Sequence, residues 1–335
     1  MHFTSLITTI DTHTMGEPTR VVTAGLGPIP GRDMVSKKNW FLENTDHIRR
    51  ALIWEPRGHQ DMFGAVITEP SSPDADIGVF FMDSGGYLDM CGHGSIGVVT
   101  AVLESGIIAL SNPPDTKEKN ITLDTPAGLI EARAHLRDGR CEWVSIRNQP
   151  AFWHSQVRLP ISGTELSVDV VYGGNFFGLV NAADLGMELE PENLPALTSM
   201  ALMLRTTLNS RLQLRHPLTG DKAEVALIEF YAEQQPPKNV VIFGSGQIDR
   251  SPCGTGTCAK MALLHKNEKL LAGQRYTQQS ILKTEFYGTI VETTQVDSRP
   301  AIVPEITGQA FITGFHQFVI DPEDPFSHGF ELSPA

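Results

Sequence analysis

Met90-Cys91-Gly92-His93-Gly94-Ser95 is echoed far down the chain by Pro252-Cys253-Gly254-Thr255-Gly256-Thr257. Both stretches read Cys-Gly-X-Gly-(Ser/Thr), and each runs into an apolar segment, residues 96–103 after Cys91 and 258–264 after Cys253. The glycines permit a tight loop and close backbone approach, and Ser95 and Thr257 are residues that cap or begin a helix. Each stretch therefore predicts a helix whose N-terminus carries a sulfur and several amides. A helix N-terminus favours thiolate through its free N–H groups and macrodipole, and such amides also bind a carboxylate. Matched settings for two cysteines predict a site built from two related halves, with one sulfur from each. That arrangement suits inversion at a carbon next to a carboxylate. One thiolate removes the α-proton and one thiol delivers a proton to the opposite face, while amides aimed at the carboxylate stabilise the carbanion.

A chain of 335 residues makes one large domain or two of ordinary size. Hydrophobic content of 41% and charged content of 19% are those of a soluble globular protein. A net charge of -13 argues against nucleic acid as the main partner, but leaves room for a small anion held by backbone amides. No apolar run reaches the roughly 18 residues of a membrane span. No basic region followed by a long apolar run opens the sequence, so neither a secretory signal nor a membrane partner is expected, and a cytoplasmic location is. The four cysteines, Cys91, Cys141, Cys253 and Cys258, are too few for a disulfide framework. Cys141, in a strand-like stretch, and Cys258, on the apolar side of the second helix, read as core residues.

Read in order, residues 3–10 and 19–24 are strand-like and flank a polar loop, Asp11 to Pro18. His13 and Glu17 in that loop are either a general acid–base pair or groups bonded to local backbone. Residues 34–54 read as helix with a break at Asn44-Thr45-Asp46. Strands follow at 65–68 and 78–82. Residues 113–120 form a charged surface loop, and residues 121–146 alternate strands with turns at 126–128 and 138–139. Residues 149–160 look irregular, as in a crossover to a second domain. Gly173-Gly174 within 168–180 implies close approach of another backbone or a ligand. Residues 191–208 read as helix, 223–231, 239–243, 276–296 and 301–318 as strands, and the tail from Asp321 as polar surface. Many short strands with few long helices make the class α+β. The domains are expected at 1–148 plus about 297–335, bearing Cys91, and at 149–296, bearing Cys253.

These residues closely resemble the proline racemase family along nearly the whole chain. The resemblance is carried by Asp11-Thr12-His13-Thr14-Met15-Gly16-Glu17-Pro18, Met90-Cys91-Gly92-His93-Gly94, Gly173-Gly174-Asn175-Phe176-Phe177 and Asp249-Arg250-Ser251-Pro252-Cys253-Gly254-Thr255-Gly256-Thr257. It implies a diaminopimelate epimerase-like fold: two pseudo-symmetric domains, each a curved sheet around a central helix, with the site in the cleft. It also implies cofactor-independent chemistry on a small imino acid, no metal, and a homodimer. By resemblance, Cys91 and Cys253 are the catalytic pair, the amides of Gly92, His93, Gly254 and Thr255 cradle the carboxylate, and the side chains of His93 and Asp249 lie near the substrate amine. The family holds proline racemases, 4-hydroxyproline 2-epimerases and trans-3-hydroxyproline dehydratases. The dehydratases carry Thr where this chain has Cys253, so dehydration is disfavoured. Phe63 and Phe243 match two phenylalanines that line the ring in proline racemases, which favours L- and D-proline as substrates over 4-hydroxyproline.

Three other readings compete. A redox pair of Cys253 and Cys258 has a loose Cys-X4-Cys spacing and leaves Cys91 unexplained. A metal held by Cys91, His93 and Cys253 lacks a fourth ligand. A protein that merely binds proline would not need both cysteines.

Overall fold

The computed structural model describes residues 4–109, 117–161, 164–217 and 220–332. The chain divides into two compact units, Met1–Ile146 with Gly308–Ala335, and Arg147–Thr307. The boundary expected near 297 falls instead after Thr307. Asp297 and Ser298, with φ of 49° and 65°, form a two-residue turn between strands Glu285–Val296 and Arg299–Gly308, whose register opens on Val296 opposite Arg299. Two positive φ values suit the twist of a tight hairpin, so the strand after the turn stays with the strand before it.

In the first unit, strand Ser5–Thr14 pairs antiparallel with Glu17–Ala24 on one side and with Ala310–Ile320 on the other. The sheet continues through Gly64–Thr68, Ile77–Met82, Glu118–Thr125, Gly128–Arg137 and Arg140–Arg147. Helix α1 (Met34–Ile53) is capped by Asp33, whose carboxylate accepts from the Ser36 amide. It bends at the expected break, where Thr45 leaves helical geometry at φ -137°. Helix α2 (Gly92–Glu104) packs against strands from across this sheet, Ser5–Thr14, Glu17–Ala24, Gly64–Thr68, Gly128–Arg137 and Ala310–Ile320. His93 through Leu103 are all buried. Valine, threonine and glycine make α2 a poor helix by propensity, so burial rather than local preference holds it. Gly97 shows how closely the sheet wraps it: a methyl there would lie 2.7 Å from Thr12 Oγ1.

The second unit repeats this order. Strand Phe152–Ile161 pairs with Thr164–Tyr172, which pairs with Phe176–Asn181. Helix α3 (Leu194–Arg211) follows, then strands Val225–Ala232, Lys238–Phe243 and the short Gln247–Asp249, then helix α4 (Gly254–Lys266). Strands Arg275–Gln279, Glu285–Val296 and Arg299–Gly308 complete the sheet. An Ala151–Ile302 bridge joins its ends. Helix α4 packs on Phe152–Ile161, Thr164–Tyr172, Phe176–Asn181 and Glu285–Val296. Gly173 is a close approach, as its sequence setting implied: a methyl there would run into the Thr255 carbonyl and lie 2.7 Å from the Ala259 nitrogen.

Three local expectations change. The loop expected from Asp11 to Pro18 is a hairpin, because Met15 (φ 51°) and Gly16 (φ 107°) supply a two-residue turn. Of residues 149–160, expected to be irregular, strand Phe152–Ile161 spans most, with one largely solvated face that suits its His, Gln and Arg residues. Within the loop expected at 113–120, residues 113–116 lie outside the described residues, and the rest leads into strand Glu118–Thr125. No helix is long and apolar enough to cross a membrane among the described residues.

Replacing Gly173 by alanine is expected to cost about 1–3 kcal/mol of stability, because the methyl meets backbone that cannot retreat. Gly27→Ala, where a methyl meets nothing within 4 Å, is expected to stay within about 0.5 kcal/mol. Urea denaturation of the two variants side by side tests this.

Candidate active site

Cys91 is the N-cap of α2, with an extended backbone at φ -144° and ψ 122°. Its sulfur accepts from the Gly94 amide at 3.4 Å, and its carbonyl accepts from the Ser95 hydroxyl at 2.7 Å. His93 Nδ1 lies 3.3 Å from the sulfur. A protonated ring nitrogen at that point would donate to a thiolate and favour it. His93 is itself fixed from two sides. Thr14 Oγ1 donates to its carbonyl at 2.8 Å, and Phe63 stands edge-on to its ring at a centroid distance of 4.5 Å. Cys91, His93 and Phe63 are buried.

Cys253 is the N-cap of α4, and its sulfur accepts from the Gly256 amide at 3.4 Å. Its backbone differs from that of Cys91, with φ 60° and ψ 111°, a conformation that costs a non-glycine residue about 1–3 kcal/mol. A short relay holds it there. The Cys253 amide donates to Ser251 Oγ at 3.0 Å, and the Ser251 hydroxyl donates to Asp249 Oδ1 at 2.7 Å. The Ser251 amide donates to the same oxygen at 2.8 Å. Pro252, just ahead of the sulfur, has its carbonyl bound by Asn239 Nδ2 at 2.8 Å and Thr257 Oγ1 at 3.1 Å. Burial pushes the Cys253 thiol well above its ordinary range, the Asp249 charge adds to the rise, and the Gly256 amide opposes it.

In both units the first-turn amides have no carbonyl one turn back to bond. Those of Gly92 and His93, and of Gly254 and Thr255, belong to these turns. Asp249 and Thr255 are buried beside Cys253, with Thr255 Oγ1 3.7 Å from the sulfur. Phe243 ends the strand that carries Asn239, opposite Gln247, and is buried. So Phe63, Cys91, Gly92 and His93 come together in one unit, and Asp249, Cys253, Gly254 and Thr255 in the other.

His13 and Glu17 do not form a pair. His13 lies opposite Pro18 and Glu17 opposite Thr14, and successive strand residues face opposite sides of a sheet. His13 stacks on Phe311 at 5.3 Å and accepts from the Gly16 amide. The core reading of the other cysteines is borne out. Cys258 is wholly buried in α4, and burial, the largest cause, pushes its thiol up. Cys141 is buried in strand Arg140–Arg147, and burial raises its thiol to about 11. Among the described residues, no three His, Cys, Asp or Glu side chains are grouped as metal ligands are. The sequence reading missed Thr14, Asn239 and Ser251. Only Ser251, two residues after Asp249 and two before Cys253, carried a local signal, since serine beside a turn bonds neighbouring backbone.

The family profile described as proline racemase matches residues 9–331. A proline racemase of Clostridioides difficile is 47% identical, over 99% of this chain and 100% of that one. A 4-hydroxyproline 2-epimerase of Streptosporangium roseum is 39% identical, over 96% of this chain and 97% of that one. Among solved structures, a hydroxyproline epimerase from Agrobacterium vitis with bound trans-4-hydroxy-L-proline superposes with a TM-score of 0.90 at 32% identity, covering 99% of this chain and 96% of that one.

Ser251→Ala removes the bridge between Asp249 and the strained Cys253 amide. The loss expected in urea denaturation is about 1–3 kcal/mol, the cost of buried polar groups left without a partner. A surface serine, Ser199, whose hydroxyl bonds the Pro195 carbonyl of its own helix, should tolerate the same change.

Proposed function

The chain belongs to the proline racemase family and is an isomerase, a racemase or epimerase, and from that premise we propose that it interconverts L- and D-proline with Cys91 and Cys253 as the proton-transfer groups. The observation that carries this reading is the repeated cap: two helices, each begun by a cysteine whose sulfur accepts an amide of the first turn. One thiolate takes the α-proton, and the other thiol gives its proton to the opposite face of the same carbon. The sulfurs thereby exchange protonation states, and the reverse substrate runs the steps backwards. The intermediate carries its charge into the carboxylate, so the amides of Gly92, His93, Gly254 and Thr255 are assigned to that group. His93 and Asp249 are assigned to the amine. A thiol at Cys253, rather than a threonine hydroxyl, supports proton return over loss of water.

Phe63 and Phe243 are assigned to the ring. An apolar wall suits an unsubstituted ring, because a ring hydroxyl buried without a partner costs about 1–3 kcal/mol. The second reading, a 4-hydroxyproline 2-epimerase, is supported by the likeness to enzymes of that name.

Protein with no added cofactor is expected to exchange the α-hydrogen of L- and D-proline with solvent deuterium, followed by proton NMR. Cys91→Ser and Cys253→Ser should each lower racemisation by roughly 10²–10⁴-fold, the usual range for a lost acid or base. Full activity in either variant would sink the two-thiol mechanism. Faster turnover of trans-4-hydroxy-L-proline than of L-proline would reassign the substrate. The pH–rate profile should be bell-shaped, since one sulfur must be charged and the other neutral, with both limbs belonging to the pair.

A further inference from the structure

What lies under the sulfur differs between the units. Beneath α2, strand Gly64–Thr68 sets Ala65 opposite Phe81, and a methyl on Gly94 would lie 2.8 Å from the Phe81 ring and 3.2 Å from Cys91 Sγ. Beneath α4, strand Val225–Ala232 sets Glu229 opposite Val241, and a methyl on Gly256 would lie 2.7 Å from Glu229 Oε2 and 3.2 Å from Cys253 Sγ. A single glycine thus separates one sulfur from an aromatic ring and the other from a carboxyl. Glu229 is wholly buried. Its Oε1 accepts from Asn239 Nδ2 at 3.1 Å, the same nitrogen that holds the Pro252 carbonyl. Its Oε2 has no hydrogen-bond partner among the described residues.

Two negative charges on either side of one glycine, in a site shut off from water, repel strongly. Burial raises the Glu229 carboxyl to about 7, with Asp249 adding to the rise and Asn239 and Lys260 opposing it. The other groups that face it do not relieve the conflict. Asp249 from strand Gln247–Asp249 is a like charge. Tyr231, Tyr276 and Cys258, from Glu229's own strand, from Arg275–Gln279 and from α4, stay neutral, since burial raises all three. The facing cation is Lys260, which sits over the Tyr231 ring, 3.0 Å from its centroid, and is itself pushed down to about 8 by burial.

We propose that Glu229 is a positioning residue that gates Cys253 by charge: as the neutral acid it lets the sulfur pass between thiol and thiolate, and as the carboxylate it locks the sulfur as thiol. Through Asn239, the same side chain also holds the Pro252 carbonyl that precedes the sulfur. In the place that Glu229 takes beneath Cys253, Cys91 has Phe81, with His93 beside the sulfur. This gate rests on the two-thiol reading for its importance in turnover, but its test does not pass through turnover.

Iodoacetamide labelling of the full chain, followed across pH and quantified for each cysteine-containing peptide by mass spectrometry, reads the thiolate directly. In the native chain Cys253 should label with a midpoint above that of an ordinary cysteine. In Glu229→Gln the midpoint should fall by about one pH unit or more, and labelling at pH 8 should rise about tenfold. Glu229→Asp keeps an ionisable group and should retain the high midpoint. Cys258, wholly buried, reports any loosening of the fold. Coincident Cys253 profiles in the native chain and Glu229→Gln would overturn the gate, as would equal acceleration in the glutamine and aspartate variants, which marks a packing role. Racemisation lost in Cys253→Ser together with an unmoved Cys253 midpoint would reject the gate and keep the two-thiol mechanism.

Discussion

A helix shut inside a sheet has its ends as its only exposed chemistry, and that constraint organises both units. The walls of α2 and α4 are buried over almost their whole length. Strands can wrap them only where the helix surface, or the strand facing it, is thin. Gly97 admits Thr12 against α2, and Gly173, in the bend between strands Thr164–Tyr172 and Phe176–Asn181, lets that bend touch the backbone of α4. With its sides sealed, each helix keeps the unbonded amides of its first turn, and the sequence sets a cysteine at that point. The sulfur then receives an amide hydrogen bond by virtue of the cap alone, at 3.4 Å in each unit. A thiol so placed is near positive dipole ends and out of water at once. These influences oppose each other: the amides favour thiolate, and desolvation favours thiol. For Cys253 burial is the larger.

The frames match while their surroundings do not. Cys91 sits on relaxed, extended backbone, and Cys253 on left-handed backbone held by the Asp249–Ser251 relay. A strained cap persists only where its neighbours over-determine it. Three hydrogen bonds to or within the short stretch 249–253, with two more to the Pro252 carbonyl, do so here. The effect is to fix the direction of the sulfur by backbone rather than by side-chain rotation. At Cys91 the fixing falls instead to His93, pinned by Thr14 and Phe63.

Local signals carried much of the fold. The two Cys-Gly-X-Gly stretches announce both central helices, the break at Thr45 follows from Asn44-Thr45-Asp46, and Asp138-Gly139 marks a turn that the structure places between strands Gly128–Arg137 and Arg140–Arg147. Two failures share a cause. Met15-Gly16 and Asp297-Ser298 are tight turns whose positive φ values fall partly on residues that rarely adopt them, so one read as a loop and the other as a domain boundary. Strand Phe152–Ile161 alternates polar and apolar residues from Gln156 to Ile161, as one covered face requires, but the adjacent Phe152-Trp153 pair and Pro160 obscure the pattern. The residues around the sulfurs were legible where they adjoin the cysteines in sequence. Glu229, Asn239 and Phe81 were not, because strand pattern gives a period of two but not which strand runs beneath which helix.

Topology explains why the halves are so alike in order yet so free to differ in detail. Strand Phe152–Ile161 follows the last strand of the first unit but pairs within the second, while Ala310–Ile320 follows the last strand of the second but pairs within the first. The first unit therefore takes a strand from beyond the second and is not one contiguous run, whereas the second is the unbroken run Arg147–Thr307. The first frame thus closes only after the chain has run through the second. The residues under each helix are not so bound: Ala65 stands opposite Phe81 and Glu229 opposite Val241, filling the space beneath the two helices with opposite chemistry. A shared frame with different filling gives the two thiols different surroundings, and the proposed reaction, with one charged sulfur and one neutral sulfur, would draw on that difference.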